Sequence, residues 1–195
     1  MIKPTPFPSL IPLFDSLEGE RVVVRPHTPD DFDQMWSAIQ ASHDEIRPWL
    51  PFADQSQDDL RNWLAKTAAK WITREFMGCA IVERASNHLV GNIGLMVQSW
   101  DIRSFEIGYW LATSAVGHGY MAEAVRLITD FAFDHLEAQR VMIRCDAENV
   151  RSAAVPKRLG FTFEGCNRRD FAAPDGKVRD TLVFSMIRDD PRWPQ

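Results

Sequence analysis

Between an apolar strand and a mostly apolar helix, the chain turns on Val116-Gly117-His118-Gly119. Two glycines separated by one residue reach backbone angles that other residues avoid, so the chain reverses tightly there. A helix opening directly after such a turn presents unbonded amide N–H groups, and its dipole adds to their attraction for an anion. A phosphate-bearing ligand suits that position. A plain strand-to-helix connection uses the same residues, so the turn alone leaves both readings open. Two better-known phosphate motifs do not apply. No Lys-Ser or Lys-Thr follows the glycines, as a P-loop requires, and the third glycine of a dinucleotide fingerprint is missing.

The segments around the turn define a mixed α/β domain. Arg21-Val22-Val23-Val24-Arg25 reads as a first strand ended by Pro26, and Thr28 or Asp30 is placed to cap a helix carrying Phe32, Met35, Trp36 and Ile39. A loop rich in bulky residues, Arg47-Pro48-Trp49-Leu50-Pro51-Phe52, leads to a second helix over about 58–75. Strands follow near 76–84, 89–97 and 105–111. The helix after the glycine turn runs to about 136. Its Glu123, Arg126, Asp130, Asp134 and Glu137 form one charged stripe, so the rest of its circumference is buried. A strand at 141–145, a short helix at about 152–159 stopped by Gly160, and a hairpin of 160–171 against 178–188 complete the pattern. No repeat or linker divides it. Residues 1–19, with Pro4, Pro6 and Pro8, read as an extended arm lying on the domain or on a partner subunit, which makes a homodimer one candidate assembly. Residues 20–195 form the domain.

Composition narrows the partners. A net charge of -5 over 195 residues does not favour nucleic acid or an anionic membrane, and suits amines and basic polypeptides instead. No uninterrupted apolar run at the start marks a leader or a span. Cys79, Cys145 and Cys166 lack paired spacing, which fits reduced thiols in a cytoplasm. His27, His43, His88, His118 and His135 show no metal-ligand spacing, so no metal is expected.

Four runs, read together, resemble the GNAT acetyltransferase superfamily. They are Leu89-Val90-Gly91-Asn92-Ile93-Gly94-Leu95, then Glu106-Ile107-Gly108-Tyr109-Trp110-Leu111, then Gly117-His118-Gly119-Tyr120-Met121-Ala122-Glu123-Ala124, and the stretch from Asn149 through Ser152 to Leu159-Gly160-Phe161. With Arg47-Pro48-Trp49-Leu50 and Glu164-Gly165, the branch they look most like is the RimJ/RimL type, the ribosomal-protein N-terminal acetyltransferases. The likeness spans about 20–188 in the right order. It implies one domain with a central, mostly antiparallel sheet of about seven strands flanked by helices, and acetyl-coenzyme A as co-substrate.

By the same resemblance, the backbone of Val116, Gly117, His118, Gly119, Tyr120 and Met121 cradles the pyrophosphate. Val116 and Met121 depart from the family, which often has Gln or Arg at the first position and Gly or Ala at the second. The strand backbone at Trp110, Leu111 and Ala112 pairs with the pantetheine arm, and Asn149 and Ser152 lie beside the sulfur. Glu106 shares a strand face with Gly108 and Trp110. A buried carboxylate there suits a general base, and an ion-paired sheet residue is the other reading. Ser152 is either a helix-start residue or the hydroxyl that protonates the leaving thiolate. Tyr109 faces away from Glu106, Tyr120 lies in the turn, and Cys145 reads as packing. Apart from the resemblance, Trp49 and Phe52 read with Trp63 and Trp71 as mostly core, and the Trp49–Phe52 loop is the candidate wall of the amine site. The acceptor favoured by the resemblance is a protein N-terminal α-amine. A small amine, a larger acyl donor, or a non-catalytic acyl-coenzyme A-binding module are its rivals.

Overall fold

The apolar runs pair into one sheet of eight strands: β1 (Leu17–Glu18), β2 (Val22–Pro26), β3 (Phe76–Glu83), β4 (Leu89–Ser99), β5 (Ser104–Leu111), β6 (Arg140–Asp146), β7 (Thr162–Ala172) and β8 (Val178–Ile187). The computed structural model describes residues 8–193. The strand order is β1-β2-β3-β4-β5-β6-β8-β7, and every neighbouring pair is antiparallel except β5 with β6. The eighth strand, beyond the seven expected, is β1, whose Leu17 and Glu18 pair with Val24 and Val23.

That strand falls within the stretch read as an extended arm. Residues 8–19 lie on the domain, one of the two placements expected for the arm: Pro8–Leu10 make a 3-10 turn, and Phe14 meets Trp71 and Phe131 edge-on at 5.3 and 4.7 Å. Aromatic burial fixes that contact. The first seven residues lie outside the described residues.

Helices α1 (Phe32–Ala41), α2 (His43–Ile46) and α3 (Gln57–Thr73) precede β3, and α4 (Tyr120–Asp134) and α5 (Val150–Arg158) flank β6 in sequence. Ser56 and Asp59 cap α3 reciprocally, which fixes its start. Its approach to the sheet needs a residue without a side chain, because a Cβ on Gly78 would stand 2.6 Å from Thr67 Cγ2. The α1 start expected at Thr28 or Asp30 is displaced to Asp31; Thr28 begins a 3-10 turn, Pro29–Asp31, instead. Just before the expected loop at Arg47–Phe52 stands α2, too short for periodicity to reveal.

α4 packs on β2 and β5, and α5 packs on β6, β8 and α4. Val125, Ile128 and Ala132 of α4 are fully buried. Its charged stripe is covered in part by other segments rather than left to solvent. Glu123 pairs with Arg21 at 2.8 Å, while Asp130 and Asp134 both hold Arg192. No helix is long and apolar enough to cross a membrane among the described residues.

Candidate functional site at the split between two parallel strands

β5 and β6 pair only over Ser104–Glu106 and Arg140–Met142. Beyond that point each strand follows its other neighbour. Gly108, Tyr109, Trp110 and Leu111 stay with β4, and Ile143 through Asp146 stay with β8. The sheet therefore splits, and the split opens into a cleft of about 770 Å³. Because strand side chains alternate, the cleft receives groups from both faces of the sheet.

At one end lies the glycine turn. Gly117 and Gly119 take φ of +93° and +78°, in the left-handed region, and both line the cleft. Gly119 is the N-cap of α4 and has no side chain to satisfy the helix start. The first amide to reach back is Glu123 N, which donates to Gly119 O at 3.1 Å, so the amides of Tyr120, Met121 and Ala122 have no carbonyl of the preceding turn to bond. A Cβ on Gly117 would meet nothing within 4 Å, which leaves open space above the turn. Free amides, a helix dipole and open space fit a phosphate-bearing ligand.

α5 closes one side of the split. Asn149 Oδ1 accepts from Ser152 N at 3.0 Å and caps the helix. Tyr109 Oη donates to the Ser152 carbonyl at 3.0 Å, and Ser152 Oγ lies 3.4 Å from the phenol oxygen. Burial pushes the Tyr109 phenol up, with the hydrogen bond to Ser152 opposing. Burial likewise raises the Cys145 thiol against a Ser152 hydroxyl. Tyr109, read from the sequence as pointing away from the chemistry, thus sits beside Ser152 in the same cleft. Strand alternation had its side chain right, but the cleft passes through the sheet.

On the opposite face, Glu106 is nearly buried (side chain 9% exposed) and its Oε1 accepts from Arg144 Nε at 3.1 Å. Of the two readings of this carboxylate, ion pairing is therefore present, and the guanidinium that supplies it comes from β6. The Trp49 ring lines the cleft beneath the Arg179 guanidinium, 5.4 Å from its centroid. Arg179, 7% exposed, is held by Asp146 at 3.1 Å and Asp175 at 2.6 Å, which ties the β7–β8 hairpin to the end of β6.

Three of the residues expected at the site do not line the cleft. Phe52 stands behind it, its ring 5.9 Å from that of Trp110. Ala112 is buried and spends its amide on Val90 O at 2.8 Å. The His118 ring stacks on Tyr120, 5.4 Å away, in a second groove, and its carbonyl accepts from Arg21. Val116, Trp110, Leu111, Tyr120, Met121, Asn149 and Ser152 all border the cleft. Tyr109 and Arg144 join them without having been expected.

Comparison with known proteins agrees with this geometry. Residues 21–162 match the family model described as acetyltransferase (GNAT) domain. YdaF of Bacillus subtilis (strain 168), named as an inferred ribosomal N-acetyltransferase, is 29% identical over 90% of this chain and 96% of its own. The ribosomal protein uS5-alanine N-acetyltransferase of Escherichia coli (strain K12) is 24% identical over 91% and 92%. A GCN5-related N-acetyltransferase from Brucella melitensis superposes with a TM-score of 0.79 at 26% identity, covering 91% of this chain and 80% of that one. The chain belongs to the GNAT N-acetyltransferases, in their RimJ/RimL-type branch.

Proposed function

We infer that the chain transfers the acetyl group of acetyl-coenzyme A directly to the N-terminal α-amine of a protein or peptide. The observation that carries this reading is the split between β5 and β6. It brings a glycine-capped helix start and Ser152 to one side of a cleft and Glu106 to the other. The amides of residues 117–121 hold the pyrophosphate, that of Val116 being spent on Thr113 O at 3.3 Å, and the open edge of Gly108 to Leu111 pairs with the pantetheine arm. Acetyl-coenzyme A supplies the thioester. Glu106 accepts the proton that the attacking amine sheds, and the Ser152 hydroxyl hands a proton to the departing thiolate. Holding both reactants in one cleft supplies much of the rate through proximity.

The names of the relatives support a protein acceptor, and so does the net charge of -5, which suits basic targets. The same charge supports placing the reaction in the cytoplasm rather than at an anionic membrane.

A thiol-release assay with acetyl-coenzyme A tests the reading. Short peptides with free N-termini, a polyamine and an aminoglycoside are offered in turn. Release with the peptides and not the others is expected. Release confined to the polyamine or aminoglycoside would move the acceptor to small amines. No release with any of them, alongside a rise in melting temperature with acetyl-coenzyme A, would leave a binding module.

A further inference from the structure

We propose that Arg144 selects the acceptor by holding the first carbonyl of an α-amine substrate while Glu106 takes the amine. This rests on the α-amine reading above and names the residue that enforces it. Met142 is in register with Glu106 across the parallel pair, and Arg144 follows two residues later on the same face of β6. Its Nε donates to Glu106 Oε1 at 3.1 Å. Glu106 is enclosed, whereas the Arg144 side chain is 45% exposed and lines the cleft.

Three neighbouring guanidinium groups are already committed, while Arg158 borders the cleft from the last turn of α5 rather than from beside Glu106 on the sheet. Arg140 forks onto Glu164, Arg179 is divided between Asp146 and Asp175, and Arg151 pairs with Glu45 at 2.9 Å. Among the described residues, the only partner of Arg144 is Glu106, met through Nε. Its two terminal nitrogens remain available. The cleft thus presents a carboxylate and an open guanidinium edge side by side.

Of peptide, lysine and polyamine acceptors, only the peptide matches that pair. In a peptide N-terminus two bonds of about 1.5 Å separate the amine nitrogen from a carbonyl carbon. A cationic donor and a ligand oxygen therefore arrive together at a short, fixed spacing, complementary to Glu106 and Arg144. The side-chain amine of a lysine has no such oxygen. A polyamine has none either, and it brings a second cation that Arg144 repels.

The test uses an alanine-starting tripeptide amide and its analogue with the first amide replaced by a trans-alkene, which lacks the carbonyl oxygen and adds no basic nitrogen. Both are acetylated from acetyl-coenzyme A by wild type, Arg144→Gln and Arg144→Lys. The readout is the ratio of kcat/KM for the peptide over the analogue, each referred to the concentration of its neutral amine because loss of the carbonyl raises the amine pKa, so that an effect on Glu106 common to both acceptors cancels. A hydrogen bond to a charged group predicts that Arg144→Gln lowers this ratio by about tenfold or more, with Arg144→Lys in between. An unchanged ratio in both variants, with a wild type that prefers the peptide, overturns the role of Arg144 alone. A wild type with no preference for the peptide overturns the α-amine reading and this inference together. The exposed position of Arg144 makes both variants tolerable to the fold, and melting temperatures check that.

Discussion

Tyr109 and Ser152 meet where the sheet splits: the phenol donates to the Ser152 carbonyl at 3.0 Å and lies 3.4 Å from its hydroxyl oxygen. Because the phenolic proton is committed to a carbonyl and burial raises the group further, Tyr109 anchors α5 and stays neutral at working pH. In the proposed reaction the proton for the departing thiolate comes from Ser152.

The first prediction separates these two roles. Ser152→Ala is expected to lower kcat by about 10²-fold, the lower end for a general acid, while leaving the KM for acetyl-coenzyme A within a few-fold. Tyr109→Phe keeps the ring and loses one hydrogen bond, about 0.5–1.5 kcal/mol of stability, with a smaller loss of kcat. Steady-state kinetics and urea melts measure both. A larger kcat loss in Tyr109→Phe than in Ser152→Ala would transfer the proton donation to the phenol.

The glycine turn gives a second prediction. Ligand binding to the native state raises stability by about 2.7 kcal/mol at a concentration one hundred times Kd. Acetyl-coenzyme A is therefore expected to raise the melting temperature with the logarithm of its concentration. Replacing Gly117 and Gly119 together by valine puts side chains at φ of +93° and +78°, one of them into the open space above the helix start. That variant is expected to melt lower and to show no shift. A full shift would remove the turn from the phosphate site.

Much of this fold was legible in the residues, and the exceptions have physical reasons. Alternating strands and the Gly117–Gly119 turn are local signals, and seven strands follow from them. β1 was hidden because two residues carry no periodicity. Which of the two placements the arm takes was not legible, since Phe14 finds Trp71 and Phe131 only in three dimensions. At the site, the position of Glu106 on its strand face was readable, but its partner was not. Arg144 lies 38 residues away on a strand whose parallel pairing no local pattern encodes. Tyr109 was set aside because alternation was applied to an unbroken sheet, and the strands part just before it.

Acid stability offers a third test, away from the cleft. Arg140 forks onto Glu164, and Ser185 Oγ donates to it at 2.7 Å. The guanidinium first, and the hydroxyl after it, hold this carboxyl down to about 2 against an ordinary 4.5, with burial opposing. A carboxyl lowered on folding stabilises fully above its unfolded value and loses that contribution as pH falls through its folded value. The advantage of wild type over Glu164→Gln in melting temperature is thus expected to be constant above about pH 5 and to shrink between pH 4.5 and 2. Since the Glu164 side chain is 37% exposed, screening keeps the whole effect to about 1 kcal/mol or less. An advantage that persists at pH 2 would assign it to packing.

The last prediction concerns Glu106 and the identity of the amine. An N-terminal amine has a reference pKa of about 7.7–8.0, against about 10.4 for lysine. Near pH 8 about half of the first is already neutral, while the second is almost wholly protonated. The gap of roughly 2.5 units corresponds to about 3.4 kcal/mol of deprotonation work. An enzyme for α-amines needs its base correspondingly less. Glu106→Gln keeps the shape of the side chain and an oxygen for Arg144, and removes the charge. It is expected to lower kcat by about 10²-fold or less at pH 8 with a peptide acceptor, and to recover part of that loss by pH 9.5. A much larger loss that higher pH does not relieve would mark a lysine-like acceptor, or a carboxylate that positions rather than accepts protons. Undiminished turnover of Glu106→Gln at pH 6.5, where the amine is mostly protonated, would remove Glu106 as the base.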